Sequence, residues 1–347
     1  PPVFLGGCVR AACEARWAKR YPSVVEATVS GITSDIAADC AAAKTAARTL
    51  AAASTDSKNE ALAAIAAGLV ERSEEILAAN VQDLSDEHAA GLTDALIDRL
   101  TLTAERIEAI AAGAREVARL DDPVGEEIES RILDNGLELK KVRVPLGVVA
   151  VVYEARPNVT IDCAVLTIKS GNAILLRGSS YAERTNRALA DVVRDGLAKA
   201  GLPEDAVVLS TGGGREAISD LATQEGVVDL LIPRGGEGLK NALKDVATVP
   251  VMYAASGNCH VYVHSDADLD MARAIAYNAK VSRPGVCNSA ETLLVDRGVA
   301  AAFLPPALKQ LSDAGVKLVG DEATIEEAGE TYVAPATDED WDTEFLD

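Results

Sequence analysis

Aromatic side chains are scarce in this 347-residue chain, at 3%, and there are only three histidines. His88, His260 and His264 are too few and too scattered to build a zinc site. The six cysteines (Cys8, Cys13, Cys40, Cys163, Cys259 and Cys287) include no CxxC pair and no metal-type spacing. They read as free thiols of a reducing compartment. Basic residues are outnumbered: 33 Lys and Arg face 54 Asp and Glu, a net charge of −21. That balance excludes binding to nucleic acid or an acidic membrane, which needs clustered cations. No apolar run approaches the ~20 residues of a membrane-spanning helix, so a cytoplasmic protein is expected. Methionine is nearly absent, with only Met252 and Met271, so residue 1 is not an initiator. Residues 1–33 carry Arg10, Arg16, Lys19 and Arg20 with few acids, a faint transit-peptide character that would make the protein organellar. They are set aside as an extension.

What is present is alanine and aliphatic bulk. With 48% hydrophobic residues the chain can bury a large core, and its length suggests two domains. From about Ser34 to Arg119 apolar residues recur at helical spacing, which predicts several amphipathic helices, one of them starting at Ala104 behind a Thr103 cap. Residues 128–144 alternate apolar and polar around Asp134-Asn-Gly136, predicting a hairpin with one face to bury. The pattern then turns to βαβ. Continuous apolar strands at Val148–Val152, Ala173–Leu176, Ala206–Leu209 and Val227–Ile232 alternate with helices at 160–168, 182–200 and 215–223. Such alternation predicts a parallel sheet covered on both faces. Beyond Pro250 come strands at Cys259–Val263 and Glu291–Val295, a helix at Leu269–Lys280 and another at Phe303–Ala314.

Chemistry concentrates in a few loops. Cys287 lies in the Pro/Gly turn Arg283-Pro-Gly-Val-Cys-Asn288 between a helix and a strand, with Arg283 four positions upstream. A thiolate near a cation and exposed backbone N–H groups suits attack on an activated carboxyl carbon, the alternative being a small core residue. Asn158, in Tyr153-Glu-Ala-Arg-Pro-Asn-Val159, offers an N–H donor for an oxyanion, or else simply forms a turn. Arg156 and Arg283, each preceding a proline, are forked cations suited to phosphate or carboxylate. Arg234-Gly-Gly-Glu-Gly238 follows a strand and opens a helix, so Gly235 and Gly236 either admit a phosphate or make a tight turn. Arg177 ends another strand in Leu176-Arg-Gly-Ser-Ser180, placed to meet the 2′-phosphate of NADP or to make a surface salt bridge. Cys259 and His260 adjoin a strand start, where a packed thiol and a capping imidazole are expected.

Read in order, several stretches together resemble the gamma-glutamyl phosphate reductase family, a branch of the aldehyde dehydrogenase superfamily. They are Val144-Pro-Leu-Gly147, Tyr153-Glu-Ala-Arg-Pro-Asn-Val-Thr160, Lys169-Ser-Gly-Asn-Ala173, Leu176-Arg-Gly178, Leu231-Ile-Pro-Arg-Gly-Gly236, Gly257-Asn-Cys-His260, Asn278-Ala-Lys280 and the Cys287 turn with Glu291-Thr-Leu-Leu-Val295. The resemblance implies an α/β, aldehyde dehydrogenase-like fold. Its parts would be a helical layer of the cofactor domain at 34–121, a β-hairpin oligomerisation arm at 122–144, an NADP-binding Rossmann-like domain at 145–255 and an incomplete α/β catalytic domain at 256–347.

It further implies NADPH-dependent reduction of L-glutamate 5-phosphate to the 5-semialdehyde, with release of phosphate, in proline biosynthesis. Cys287 would be the nucleophile and Asn158 the oxyanion donor. Arg156, Arg283 and Asn288 would hold substrate, and Arg177, Gly178, Ser179, Gly235 and Gly236 the cofactor, with no metal. A homo-oligomer and coupling to glutamate 5-kinase are implied partners. The chain departs from the family at Val281-Ser282, usually Thr-Gln, and at Gly178-Ser179, usually Gly-Gly. The family also continues past the point matching Asp347, which implies weak activity for this length of chain. Competing readings are an aldehyde dehydrogenase with another substrate and an inactive relative that only binds.

Overall fold

A computed structural model describes residues 36–86, 91–92, 94–154, 156–253 and 257–345. The expectations for residues 1–33 lie outside these. The chain divides into two units, Pro1–Ala254 and Ala255–Asp347.

The first unit opens with α1 (Ile36–Ala51), α2 (Thr55–Glu71), α3 (Ser73–Ser85), α4 (Asp94–Leu100) and α5 (Ala104–Arg119). Local chemistry fixes their starts: Ser54 Oγ accepts the Ser57 N–H at 3.1 Å and Thr103 Oγ1 the Arg106 N–H at 3.2 Å. α5 buries Ile107, Ile110, Ala111 and Ala114, one stripe at helical spacing. After it, β1 (Glu127–Ile132) and β2 (Glu138–Val142) form an antiparallel hairpin.

The hairpin corrects one expectation. Its register sets Ile132 against Glu138 and Arg131 against Leu139, so apolar side chains divide between two faces, and every residue of both strands is exposed.

The core of this unit is a four-stranded parallel sheet ordered β5-β4-β3-β6, from β3 (Val148–Tyr153), β4 (Ala173–Arg177), β5 (Val207–Leu209) and β6 (Leu230–Arg234). Every residue of β3 and β4 is buried, which is why their sequences read as unbroken apolar runs. The crossovers are α6 (Asn158–Lys169), α7 (Glu183–Lys199) and α8 (Gly214–Ala222), and α9 (Glu237–Val246) follows β6. β6 starts later than its apolar run because Val227 and Val228 turn, both N–H groups bonding to Gln224 O. Asp229 is likewise engaged, accepting from Lys44 and from the Val148 N–H at 2.8 Å. Pro233 is tolerated because β6 is the outer strand of the ladder. α7 packs on α2 at Gly196, where an added Cβ would come within 2.5 Å of Ile65 Cγ1. Lys58 pairs with Asp122 at 2.6 Å, and Lys169 Nζ donates to Asn59 Oδ1 at 2.6 Å and to Ala118 O at 3.0 Å. These bonds fasten the far end of α6 to the helical layer.

The second unit is built on a βαβ crossover: β7 (Cys259–Val263), α10 (Leu269–Val281) and β8 (Ala290–Val295), the strands parallel. Next come α11 (Arg297–Asp313), β9 (Val319–Gly320), α12 (Glu322–Glu327), β10 (Ala334–Pro335) and α13 (Asp338–Asp342). α11 begins six residues before the expected Phe303, with the Asp296 carboxylate accepting the Gly298 N–H as its cap. Phe303, Leu304, Ala307 and Leu308 pack with Val263, Ala272 and Val333 as a separate small core.

Candidate active site

In the first unit, β3 leads to β4 on one side and β6 lies on the other, so the strand order reverses at β3. In open parallel sheets a ligand crevice forms at the carboxyl ends there. Four strand ends meet at this edge. β3 runs into Glu154, β4 ends at Arg177 and continues as Gly178-Ser179, β5 leads to Gly212-Gly-Gly214, and β6 leads to Gly235-Gly236. Gly178 packs without a side chain against the Tyr153 ring, to which a Cβ would approach within 3.2 Å, and against the Asn186 amide. Beneath it the Tyr153 hydroxyl contacts Thr160 Oγ1 at 2.7 Å, and Thr160 donates to Asn186 Oδ1 at 3.0 Å. Burial pushes the Tyr153 phenol well up, so it stays protonated. Glu154 turns to the opposite glycines, its Oε2 accepting the Gly236 N–H at 3.4 Å. Sequence reasoning passed over Glu154, whose partner lies 82 residues away.

Arg177 is neither a surface residue nor half of a salt bridge there. It is 6% exposed, and Nη2 donates to the carbonyls of Gly212 at 2.5 Å and Gly214 at 2.7 Å. Burial pulls the guanidinium below its ordinary value. Arg177 Nη1 and the neighbouring Ser179 Oγ are buried and find no hydrogen-bond partner among the described residues. A buried donor without a partner is costly, so this pair suits an outside group that brings acceptors. The donor set fits a dinucleotide, whose ribose and phosphate oxygens are acceptors.

Asn158 is the first residue of α6 rather than part of a loop, and its Nδ2 donates to Asp162 Oδ2 at 2.9 Å. Arg156, two residues earlier, is half-buried.

In the second unit Cys287 is exposed, in the turn between α10 and β8. That disposes of the core-residue alternative. Burial instead raises Cys40 and Cys163 to about 11, which keeps both thiols protonated near neutral pH. The Cys287 turn is fastened at both ends. Ser282 Oγ donates to Asn278 O at 2.6 Å, the buried Ser289 to Ala279 O at 3.1 Å, and Lys280 pairs with Glu291 at 2.9 Å. Arg283 and Asn288 line one depression of about 310 Å³ with Asn278, Ser282, Val286 and Ser289.

Below the turn, Cys259 Sγ donates to Cys287 O at 3.4 Å, and His260 Nδ1 meets Asn258 O at 2.7 Å. Cys259 and His260 thus form no dyad with each other. A Cβ at Gly257 would lie 2.5 Å from Cys287 O and 3.3 Å from Glu344 Oε1. The structure therefore brings a distant carboxylate to the cysteine turn. Asn258 holds this corner, donating to Trp341 O and accepting from Thr292 Oγ1 at 2.9 Å. Nothing in the spacing of Glu344 signals this position.

A reversing parallel sheet with glycine turns at its carboxyl edge, and a second βαβ unit presenting an exposed cysteine, define a class. The chain belongs to the aldehyde dehydrogenase family, whose profile matches residues 20–337. Within it the chain is similar to the gamma-glutamyl phosphate reductases. The protein of that name from Thermobifida fusca is 51% identical over 297 residues, 86% of this chain and 71% of that one. The crystal structure of gamma-glutamyl phosphate reductase from Thermotoga maritima matches with a TM-score of 0.83 at 40% identity, covering 90% of this chain and 75% of that one. The Saccharomyces cerevisiae structure of that name gives 0.59 at 32% identity, covering 86% and 75%.

Proposed function

We propose that the chain catalyses NADPH-dependent reduction of L-glutamate 5-phosphate to L-glutamate 5-semialdehyde, releasing phosphate through a cysteine thioester, in proline biosynthesis. The 51% identity to a protein bearing that enzyme's name carries the reading. The exposed, fastened Cys287 supplies the atom the chemistry needs.

As thiolate, Cys287 Sγ attacks the acyl carbon. The C–O bond to phosphate breaks, phosphate departs with the electron pair, and a thioester remains. The tetrahedral oxygen of that step needs N–H donors, the role assigned to the Asn158 amide of the first unit and to the Cys287 backbone N–H of the second. One Asn158 N–H faces Asp162, which orients the amide, so the other serves the oxyanion. Arg156 and Arg283 pair with the substrate's phosphate and carboxylate, and Asn288 lines the same depression as Arg283. Arg177, Gly178, Ser179, Gly235 and Gly236 would hold NADPH, and the bound cofactor would supply the hydride that reduces the thioester. Collapse of the resulting hemithioacetal returns the thiolate and frees the aldehyde. The enzyme works as a cytoplasmic homo-oligomer joined through the β1–β2 arm and is functionally coupled to glutamate 5-kinase.

Cys287→Ser, assayed in reverse with semialdehyde, phosphate and NADP⁺, should lower turnover by about 10³-fold or more. Iodoacetamide should label Cys287 ahead of the other thiols, with protection by NADPH. Retained turnover in the serine variant would end the reading.

A further inference from the structure

The three residues Gly212, Gly213 and Gly214 take φ values of +78°, +67° and +54°. Residues other than glycine pay ~1–2 kcal/mol each in this left-handed region, so the run is open only to glycine. Three glycines in succession carry no side chain to pack, and glycine loses the most backbone freedom on ordering. Left to itself the segment would be loose. It leads directly into α8, whose N-cap is Gly213 and has no side-chain cap, so the first-turn N–H groups are left to solvent or a ligand.

Arg177 is what fastens this loop. Its guanidinium crosses from the end of β4 to the two flanking carbonyls, Gly212 O at 2.5 Å and Gly214 O at 2.7 Å, from the same nitrogen, Nη2. At 6% exposure the guanidinium stays within the fold. A forked grip on phosphate uses two N–H edges together. Nη2 already serves the carbonyls, so a fork through both terminal nitrogens would break the clamp, and Nη1 alone is left to meet a single acceptor of the cofactor.

Resting on the dinucleotide reading above, we propose that Arg177 is a positioning residue. It holds Gly212–Gly214 and the start of α8 in place for the cofactor as a whole, and it is not the group that distinguishes NADPH from NADH. Discrimination of the 2′-phosphate then belongs to other groups at the strand ends.

The test uses the intact chain and variants Arg177→Lys, Arg177→Met and Gly213→Ala. Two things are measured: hydrogen exchange of peptides spanning 210–218 without nucleotide, and equilibrium Kd for NADP⁺ and NAD⁺. Expected are faster exchange in that segment and about tenfold weaker binding of both nucleotides, the size of one charge-assisted hydrogen bond, with their ratio unchanged. Gly213→Ala, which leaves Arg177 in place, should reproduce the uniform loss even if the buried arginine cannot be replaced without unfolding. A loss confined to NADP⁺ with unchanged exchange makes Arg177 a direct phosphate ligand and overturns the proposal. Unchanged affinities in Gly213→Ala overturn it too. If the unaltered chain binds neither nucleotide, the dinucleotide reading itself falls, and the inference with it.

Discussion

Lys58 carries its charge into a place where its side chain is 1% exposed, and Asp122 meets it at 2.6 Å. Burial by itself would raise the Asp122 carboxyl. Lys58, the Thr55 hydroxyl at 2.7 Å and the Val124 N–H at 3.0 Å outweigh it and hold the carboxyl below its usual range. A carboxyl that binds protons less readily when folded stabilises the fold fully above the ordinary carboxylate value near ~4. That contribution is lost as pH falls through the lower folded value. Asp122→Asn should therefore cost about 3 kcal/mol at neutral pH by stranding the Lys58 charge. The deficit against the unaltered chain in urea titrations should shrink toward pH 3, and a pH-independent deficit would contradict the ion-pair account. The same scale shows what could be read from residue order. Cys287 was legible because turn-forming neighbours surround it on both sides. The partners of Arg177 and the place of Glu344 were not, since the Gly212 and Gly214 carbonyls and the Gly257 corner lie far away in sequence.

Elements were legible wherever one environment ran their whole length. β3 is buried at every residue, so Val148–Val152 announces it. α5 carries both a cap and a clear apolar stripe. Boundaries slipped where apolar side chains continue into a turn, as at Val227-Val228, or where a helix contains Pro305 and Pro306 and its start rests on a carboxylate cap. The crossing of α2 and α7 depends on a missing side chain. Gly196→Ala gains intrinsic helix propensity but sets a Cβ 2.5 Å from Ile65 Cγ1 and 3.0 Å from the Ile65 nitrogen. The backbone cannot rotate away as a side chain does, so overpacking should prevail, with a net loss of about 1–3 kcal/mol. Denaturant unfolding of the purified variant measures it, and a gain in stability would show that the helices part without cost.

At the scale of the molecule, the β1–β2 hairpin displays Ile132 at 77% exposure and Leu137 at 61%. A two-stranded hairpin is marginal alone, and its unpaired strand edges invite pairing with another chain. Light scattering should find the unaltered protein associated, and Ile132→Asp with Leu139→Asp should release monomers whose far-ultraviolet circular dichroism is unchanged. A monomeric unaltered protein would remove the arm's proposed role. The net charge of −21 is read from composition alone, whereas the hairpin's register is not, because pairing, not alternation, decides which side chains share a face.

α6 is a rod of 12 residues, about 18 Å long at the α-helical rise. Asn158 sits at its tip, and Lys169 is bolted to Asn59 and Ala118 at its butt. Thr160 is held near the tip by Tyr153 and Asn186, so the rod turns about that point as a lever. A small tilt at the bolt sweeps the tip sideways by a distance that matters for aiming a hydrogen bond. Damage in the outer helical layer at Asn59 should thus be felt as misaim at the far end rather than as local loosening.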